Sequence, residues 1–96
     1  MAEVILSPAA LEDLKGIHDY ISQHSPFYAN KVVHTLLDRI TDLQTNIKLG
    51  RVVPEFEQSH IREIFEYRYR IIYRIESEQL ISIARILHQA KNLIAL

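Results

Sequence analysis

Residues 61–88, IREIFEYRYRIIYRIESEQLISIARILH, decide how this chain folds. Within them Tyr69, Ile71, Tyr73 and Ile75 alternate with Arg68, Arg70, Ile72 and Arg74, the period of two that marks an extended strand. Glu76-Ser77-Glu78-Gln79 interrupts the pattern as a polar turn, and Leu80–Leu87 forms the next strand. Ile61–Glu66 supplies the strand before, joined through a turn near Tyr67 that carries no glycine, although tight hairpins favour Gly or Asn. Arg62, Arg68, Arg70, Arg74 and Arg85 are threaded through these segments. Arginine is costly to bury and prefers planar, anionic or aromatic partners, so the stretch reads as a surface built to bind something.

Upstream the period changes. Ala2–Leu6 is a short strand candidate, and Ser7-Pro8 reads as an N-cap followed by proline at the first helical position, where its missing N–H costs nothing. Leu11, Leu14, Ile17 and Ile21 then recur at helical spacing, predicting an amphipathic helix over 8–23. Ser25-Pro26 repeats the starting device. Ala29, Val33, Leu36, Ile40, Leu43 and Ile47 predict a second helix that ends near Gly50 as a C-cap. Helices separated by so short a link must fold back on each other. A loop over Arg51–Ser59 leads into the strands. The order β-α-α-β-β-β predicts one α+β domain over 1–96: an N-terminal strand, a helical hairpin, and a three-stranded antiparallel sheet that the hairpin covers on one face.

At 96 residues there is no room for a second core, and 48% hydrophobic with 24% charged residues is the balance of a globular protein. The chain has no cysteine, which excludes disulfides and thiolate metal sites. No apolar run approaches the roughly 18–20 residues of a membrane span, and Met1–Pro8 lacks a secretory pattern, so a soluble cytoplasmic protein is expected. Lys and Arg number 11 against 12 acids, a formal net charge of −1. A protein that lives on phosphate backbones usually carries a clear positive excess. The distribution is uneven, however, with Arg62, Arg68, Arg70 and Arg74 facing only Glu63 and Glu66 over 61–75, so a local basic face remains open.

The histidines are the first residues to test for chemistry. His18, His24, His34 and His60 show no ligand spacing, and no carboxylate cluster accompanies them, so neither a metal nor a cofactor is expected. His88 differs in ending the last strand beside the arginines, where it is either a polar cap or a catalytic group. Arg68 and Arg74 fit a solvated strand face paired with Glu63, Glu66 and Glu76. Arg70 sits mid-strand on the helix-free face, with Arg62 expected across the hairpin and Arg85 on the following strand; several guanidinium forks there would receive phosphate or carboxylate. Glu55 in the loop, Arg70 in the sheet and His88 at the strand end supply the residue types of metal-free RNA cleavage: a base for the 2′-hydroxyl, a fixed cation at the phosphate, and an acid for the leaving oxygen.

The succession VILSPAALEDLKGIHDYI, GRVVPE, IREI, YRIIYRI and ARILHQAKNL resembles the RelE/ParE superfamily of bacterial type II toxins over nearly the whole chain. The resemblance implies the β-α-α-β-β-β fold and a cognate antitoxin that wraps the toxin with an extended or helical segment. It also implies one of two activities. RelE-like and YoeB-like members cleave mRNA in the ribosome, whereas ParE-like members lack an intact nuclease set and poison DNA gyrase. Glu55, Arg70 and His88 fall where the YoeB-like glutamate, arginine and histidine would be. Position 89, though, is Gln rather than the tyrosine of the YoeB-like ending, and the lysine-rich centre of RelE is reduced to Lys48 and Arg51. The ending ILHQAKNLIAL is similar to the ParE type.

A ParE-like gyrase inhibitor of the plasmid-stabilisation type, acting by protein binding and not as an enzyme, is therefore the leading expectation. The alternative is an mRNA interferase with Glu55 as base, Arg62, Arg70 and Arg85 on the phosphate, and His88 as acid. A further alternative is a non-toxic relic that still binds an antitoxin. Phe27, Tyr28 and Phe56 are the aromatic anchors expected to meet the antitoxin, with edge-of-core packing the competing role, especially for Phe27. An uncovered apolar groove would equally serve a homodimer, which the sequence does not decide.

Overall fold

A computed structural model of the chain describes residues 1–91 and residue 93. Strand β1 (Glu3–Leu6) leads into helices α1 (Pro8–Ser22) and α2 (Pro26–Thr41), then strands β2 (Arg51–Val52), β3 (Ile61–Glu66), β4 (Tyr69–Ser77) and β5 (Leu80–His88). The expected α+β order holds. The sheet is larger than the three-stranded reading, with five strands in the order β1-β5-β4-β3-β2. β1 joins β5 in parallel, Val4 opposite Ile81 and Leu6 opposite Ile83, and the remaining neighbours are antiparallel.

Both helix starts follow from their serines. The Ser7 hydroxyl accepts from the Ala10 N–H at 3.0 Å while donating to the Ala84 carbonyl at 2.9 Å, so one side chain both caps α1 and ties it to β5. Ser25 accepts from the Tyr28 N–H at 3.1 Å at the start of α2. α2 ends at Thr41 and passes into a 3-10 turn over Asp42–Gln44, short of the Gly50 end expected from its apolar spacing. Ala29 is buried in its first turn as expected, and Val32, not Val33, is buried after it; Val33 lies half-buried beside Leu11 and Leu14 between the helices.

The helices cover one face of the sheet. Ala10, Val32, Leu36, Ile40 and Leu43 pack there against Ile64, Ile71, Tyr73, Ile81, Ile83 and Ile86. The opposite face carries a second, smaller cluster of Val53, Ile61, Ile72, Leu87 and Leu93, with Phe56 and Ala84 against it. No helix among the described residues is long and apolar enough to cross a membrane.

Tyr73 locks the passage from the helices to β2. It is fully buried, and its hydroxyl donates to the Ile47 carbonyl and accepts from the Gly50 N–H, both at 2.9 Å. Gly50 is therefore no helix cap. It is the point where the chain crosses Tyr73 and β3 so closely that a Cβ would lie 2.5 Å from the Glu63 carbonyl oxygen and 2.9 Å from the Tyr73 ring. Neither neighbour is free to move, so Gly50→Ala should cost about 1–3 kcal/mol, the usual price of overpacking. Thermal unfolding followed by circular dichroism should drop by roughly 5–15 °C for a domain of this size; an unchanged midpoint would refute the close approach.

Candidate functional site

The helix-free face carries a charged cluster centred on Arg70. Strand alternation places Arg70 there beside Ile72, opposite Leu87 on β5 and Phe65 on β3. Arg70 is 6% exposed. A buried guanidinium must be paired, and this one is paired twice. Its Nε donates to Glu63 Oε1 at 2.6 Å, Nη1 to Glu55 Oε2 at 2.8 Å, and Nη2 to Glu55 Oε1 at 2.9 Å, with a further bond from Nη1 to the Lys91 carbonyl at 3.2 Å. Of the five N–H groups a guanidinium offers, four are spent inside the molecule. Glu63 is 1% exposed and takes a second arginine, Arg51, through Nε at 2.8 Å; the Arg51 guanidinium also lies 5.1 Å from the centre of the Phe65 ring. Two arginines and two glutamates thus form a closed, neutral quartet.

Glu55 comes from the loop after β2, where Phe56 and Glu57 N–H groups both return to the Val53 carbonyl, at 3.2 and 3.0 Å, and Glu57 takes φ of 53°. Its carboxyl is held down to about 2 from an ordinary 4.5, first by the hydrogen bonds from Arg70, against the opposing effect of burial, and further by the Leu93 N–H. Arg70 is pushed the other way, above its ordinary value, by Glu55 and Glu63. A carboxylate this acidic is a poor general base at neutral pH, because proton abstraction favours a group titrating near the working pH.

The remaining predicted site residues lie elsewhere. Arg62 does not share the surface of Arg70: it pairs with Tyr73, on the helix-covered face, and its Nε and Nη1 donate to the carbonyls of Ser59 and Gly50 at 2.8 and 3.0 Å. Arg85 does not either. A register shift between Ile72 and Tyr73 leaves Ala84 without a partner and turns Arg85 toward α1, where Asp13 takes its Nε and Nη2 at 2.7 and 2.9 Å. Asp13 also accepts the Ile86 N–H. His88 pairs with Tyr69 and meets its ring edge-on at 6.0 Å, on the helix side of the sheet. Glu55 and Arg70 are therefore brought together, while Arg62, Arg85 and His88 are each directed elsewhere.

His88 instead borders a cleft of about 820 Å³ between the helical hairpin and the end of the sheet, lined by Tyr20, Tyr28, Tyr67, Tyr69, Arg68 and Lys91 among others. Tyr67 sits at the turn between β3 and β4 with φ of 54°, a left-handed conformation that costs a bulky residue of order 1 kcal/mol. The glycine-free turn was the only trace of this in the sequence. Of the expected aromatic anchors, Phe27 is 80% exposed and Tyr28 46%, whereas Phe56 is half-buried against the second cluster.

Because a depressed carboxyl stabilises the folded state fully only above its unfolded value, the contribution of Glu55 is complete above about pH 4.5 and is lost as pH falls toward 2. Unfolding midpoints of the wild type and Glu55→Gln should differ most above pH 5, wild type higher, and converge as pH is lowered toward 2; a gap independent of pH would contradict the pairing.

No curated protein sequence matches. Among solved structures, the chain is similar to a chain of the chromosomal ParDE TA system from P. aeruginosa, with TM-score 0.74, 24% identity, and 92% of this chain and 96% of that one covered. It is also similar to the YoeB dimer from Staphylococcus aureus (TM-score 0.62, 18% identity, 91% and 95% covered) and to the E. coli DinJ-YafQ complex (TM-score 0.55, 18% identity, 94% and 96% covered). At these identities the likeness is one of fold. The sequence itself matches, over residues 4–93, the family described as the ParE toxin of the type II toxin-antitoxin system parDE. With nearly its whole length matched, the chain belongs to the ParE toxin family.

Proposed function

We propose that this chain is a cytoplasmic toxin that acts by binding DNA gyrase, not by cutting RNA, and that a cognate antitoxin neutralises it. The observation that carries the choice of binding over cutting is the closed charge quartet: Arg70 has Glu55 and Glu63 where a phosphate would have to sit, and His88 lies across the sheet. Membership of the ParE family supports gyrase as the target. The antitoxin is expected in the tyrosine-lined cleft. Its walls offer aromatic area that is rigid and cheap to order, and its lining carries both signs of charge, Arg68 and Lys91 with Glu12 and Asp13, which suits an amphipathic segment with charges beside its apolar residues.

Purified chain should inhibit gyrase supercoiling and leave ribosome-bound transcripts intact, and His88→Ala should leave the inhibition unchanged within about twofold, a change below 0.5 kcal/mol. Transcript cleavage without effect on gyrase would overturn the proposal. Arg70→Ala is a poor test of nuclease chemistry, because it strips one of two arginine partners from buried Glu63, and the resulting loss of stability, up to about 3–5 kcal/mol, lowers activity of either kind.

Tyr67→Gly separates stability from binding. Glycine adopts the left-handed turn freely, so the variant should unfold about 0.5–1 kcal/mol later. Calorimetric titration with the antitoxin encoded beside the chain should nevertheless weaken about tenfold or more, since an aromatic wall of the cleft is lost. Unchanged affinity would move the antitoxin off this cleft.

A further inference from the structure

Two of the residues that resemble a nuclease set spend hydrogen bonds on the chain's own C-terminal end. Arg70 Nη1 donates to the Lys91 carbonyl at 3.2 Å, and the Leu93 N–H donates to Glu55 Oε2 at 3.2 Å. The backbone before this point is tied by ordinary turns, Gln89 N–H to the Arg68 carbonyl at 2.8 Å and Lys91 N–H to the His88 carbonyl at 2.9 Å. Beyond it, among the described residues, the Lys91 carbonyl and the Leu93 N–H are held by Arg70 and Glu55 alone. The Leu93 side chain is 6% exposed and sits on Val53, Ile61, Ile72 and Leu87.

We infer that Glu55 and Arg70 form a positioning pair for the C-terminal end, pinning Lys91 and Leu93 across the helix-free face of the sheet. Geometry favours this role on both sides. Glu55 is presented by a loop that closes on itself through the Val53 carbonyl, and that is tied to β3 by the Val53 N–H on the Ile61 carbonyl at 3.0 Å. Arg70 is fixed from beneath by Glu63. The pair is therefore oriented before the chain end arrives, and each member keeps one group for it: Glu55 an acceptor, Arg70 a donor. Docking Leu93 covers the small apolar cluster, and the two hydrogen bonds hold Lys91 and Leu93 over it. This is independent of the choice between gyrase and RNA, because it concerns where Lys91 and Leu93 lie and not what they meet.

The test uses the full chain and reads the end separately from the sheet. In Glu55→Ala, Arg70 keeps Glu63, so the fold survives. Hydrogen exchange at the Leu93 amide and tryptic cleavage after Lys91 should both accelerate about tenfold or more, the effect of losing one charge-assisted bond. Protection of β3, β4 and β5 amides should fall only by the global stability that Glu55 contributes, severalfold less than at Leu93. Leu93→Ala should free the same end from the other side, and the double variant should add little to the larger single effect. Glu55→Gln, which keeps an acceptor but not the charge, should fall between. An end as protected in Glu55→Ala as in wild type would overturn the inference. So would β3–β5 amides that loosen in step with Leu93, since Glu55 would then be supporting the sheet as a whole.

Discussion

A buried guanidinium must have its charge neutralised and most of its donors met, and the helix-free half of this protein is organised around satisfying one. Arg70 lies in the middle strand of the sheet, out of reach of water, and its neighbours are those that neutralise it. Glu63 stands two strand positions from Ile61 on the same face, so β3 must pair with β4 in the register that puts Glu63 against Ile72. Glu63 is completely buried in turn and takes Arg51, which fixes the two-residue strand β2 at the sheet edge. Glu55 closes the set from the loop. Breaking such a pair costs about 3–5 kcal/mol in a domain whose whole stability is of order 5–15 kcal/mol, so the quartet holds the local fold whatever else it does.

Strand parity then decides what the chemistry-bearing residues can share. Arg70 stands opposite Leu87, and the next pair along is Tyr69 with His88, so arginine and histidine point to opposite sides of one sheet. The shift at Ile72/Tyr73 works in the same direction by giving Arg85 to Asp13. Similar residue types in a similar order thus produce a bound, neutral cluster on one face and an aromatic cleft on the other. The family match and the fold likeness to a YoeB dimer are compatible for this reason. Fold is shared through the core positions, while the reactive geometry depends on which side chains happen to face each other.

What the sequence disclosed follows from the range of the forces involved. The serine caps, the helical hairpin and the alternating strands are local patterns, and they appear where the residues put them. The parallel pairing of β1 with β5 joins residues at opposite ends of the chain, and β2 has two residues and no period to detect. Gly50 looked like a helix end because a glycine after an apolar run usually is one; its real constraint is a neighbour from β3 that no local pattern contains. Glu55 and Arg70 were visible as individuals. That they meet, and that Glu63 completes them, required knowing which strand faces each residue occupy and that Glu63 is buried. His88 was misplaced for a related reason: ending the last strand beside the arginines does not say which face it takes, and the pairing of Arg70 with Leu87 puts it one position along, on the other side.

The charge balance gains meaning from these pairings. Arg39 lies near Asp42 and Glu66, Arg51 and Arg70 hold Glu63, and Arg85 holds Asp13, so much of the arginine in this chain is neutralised by its own carboxylates. A nucleic-acid phosphate approaching Arg70 would have to displace a carboxylate that is already in place and loses little entropy by staying. The buried polar side-chain atoms of the described residues are all hydrogen-bonded already. Apolar area open to a partner is offered by the exposed aromatic rings of Tyr20, Phe27, Tyr28 and Tyr67, whose burial desolvates no ion and, for the tyrosines, one hydroxyl each. The left-handed backbone at Tyr67 persists where that aromatic area is presented.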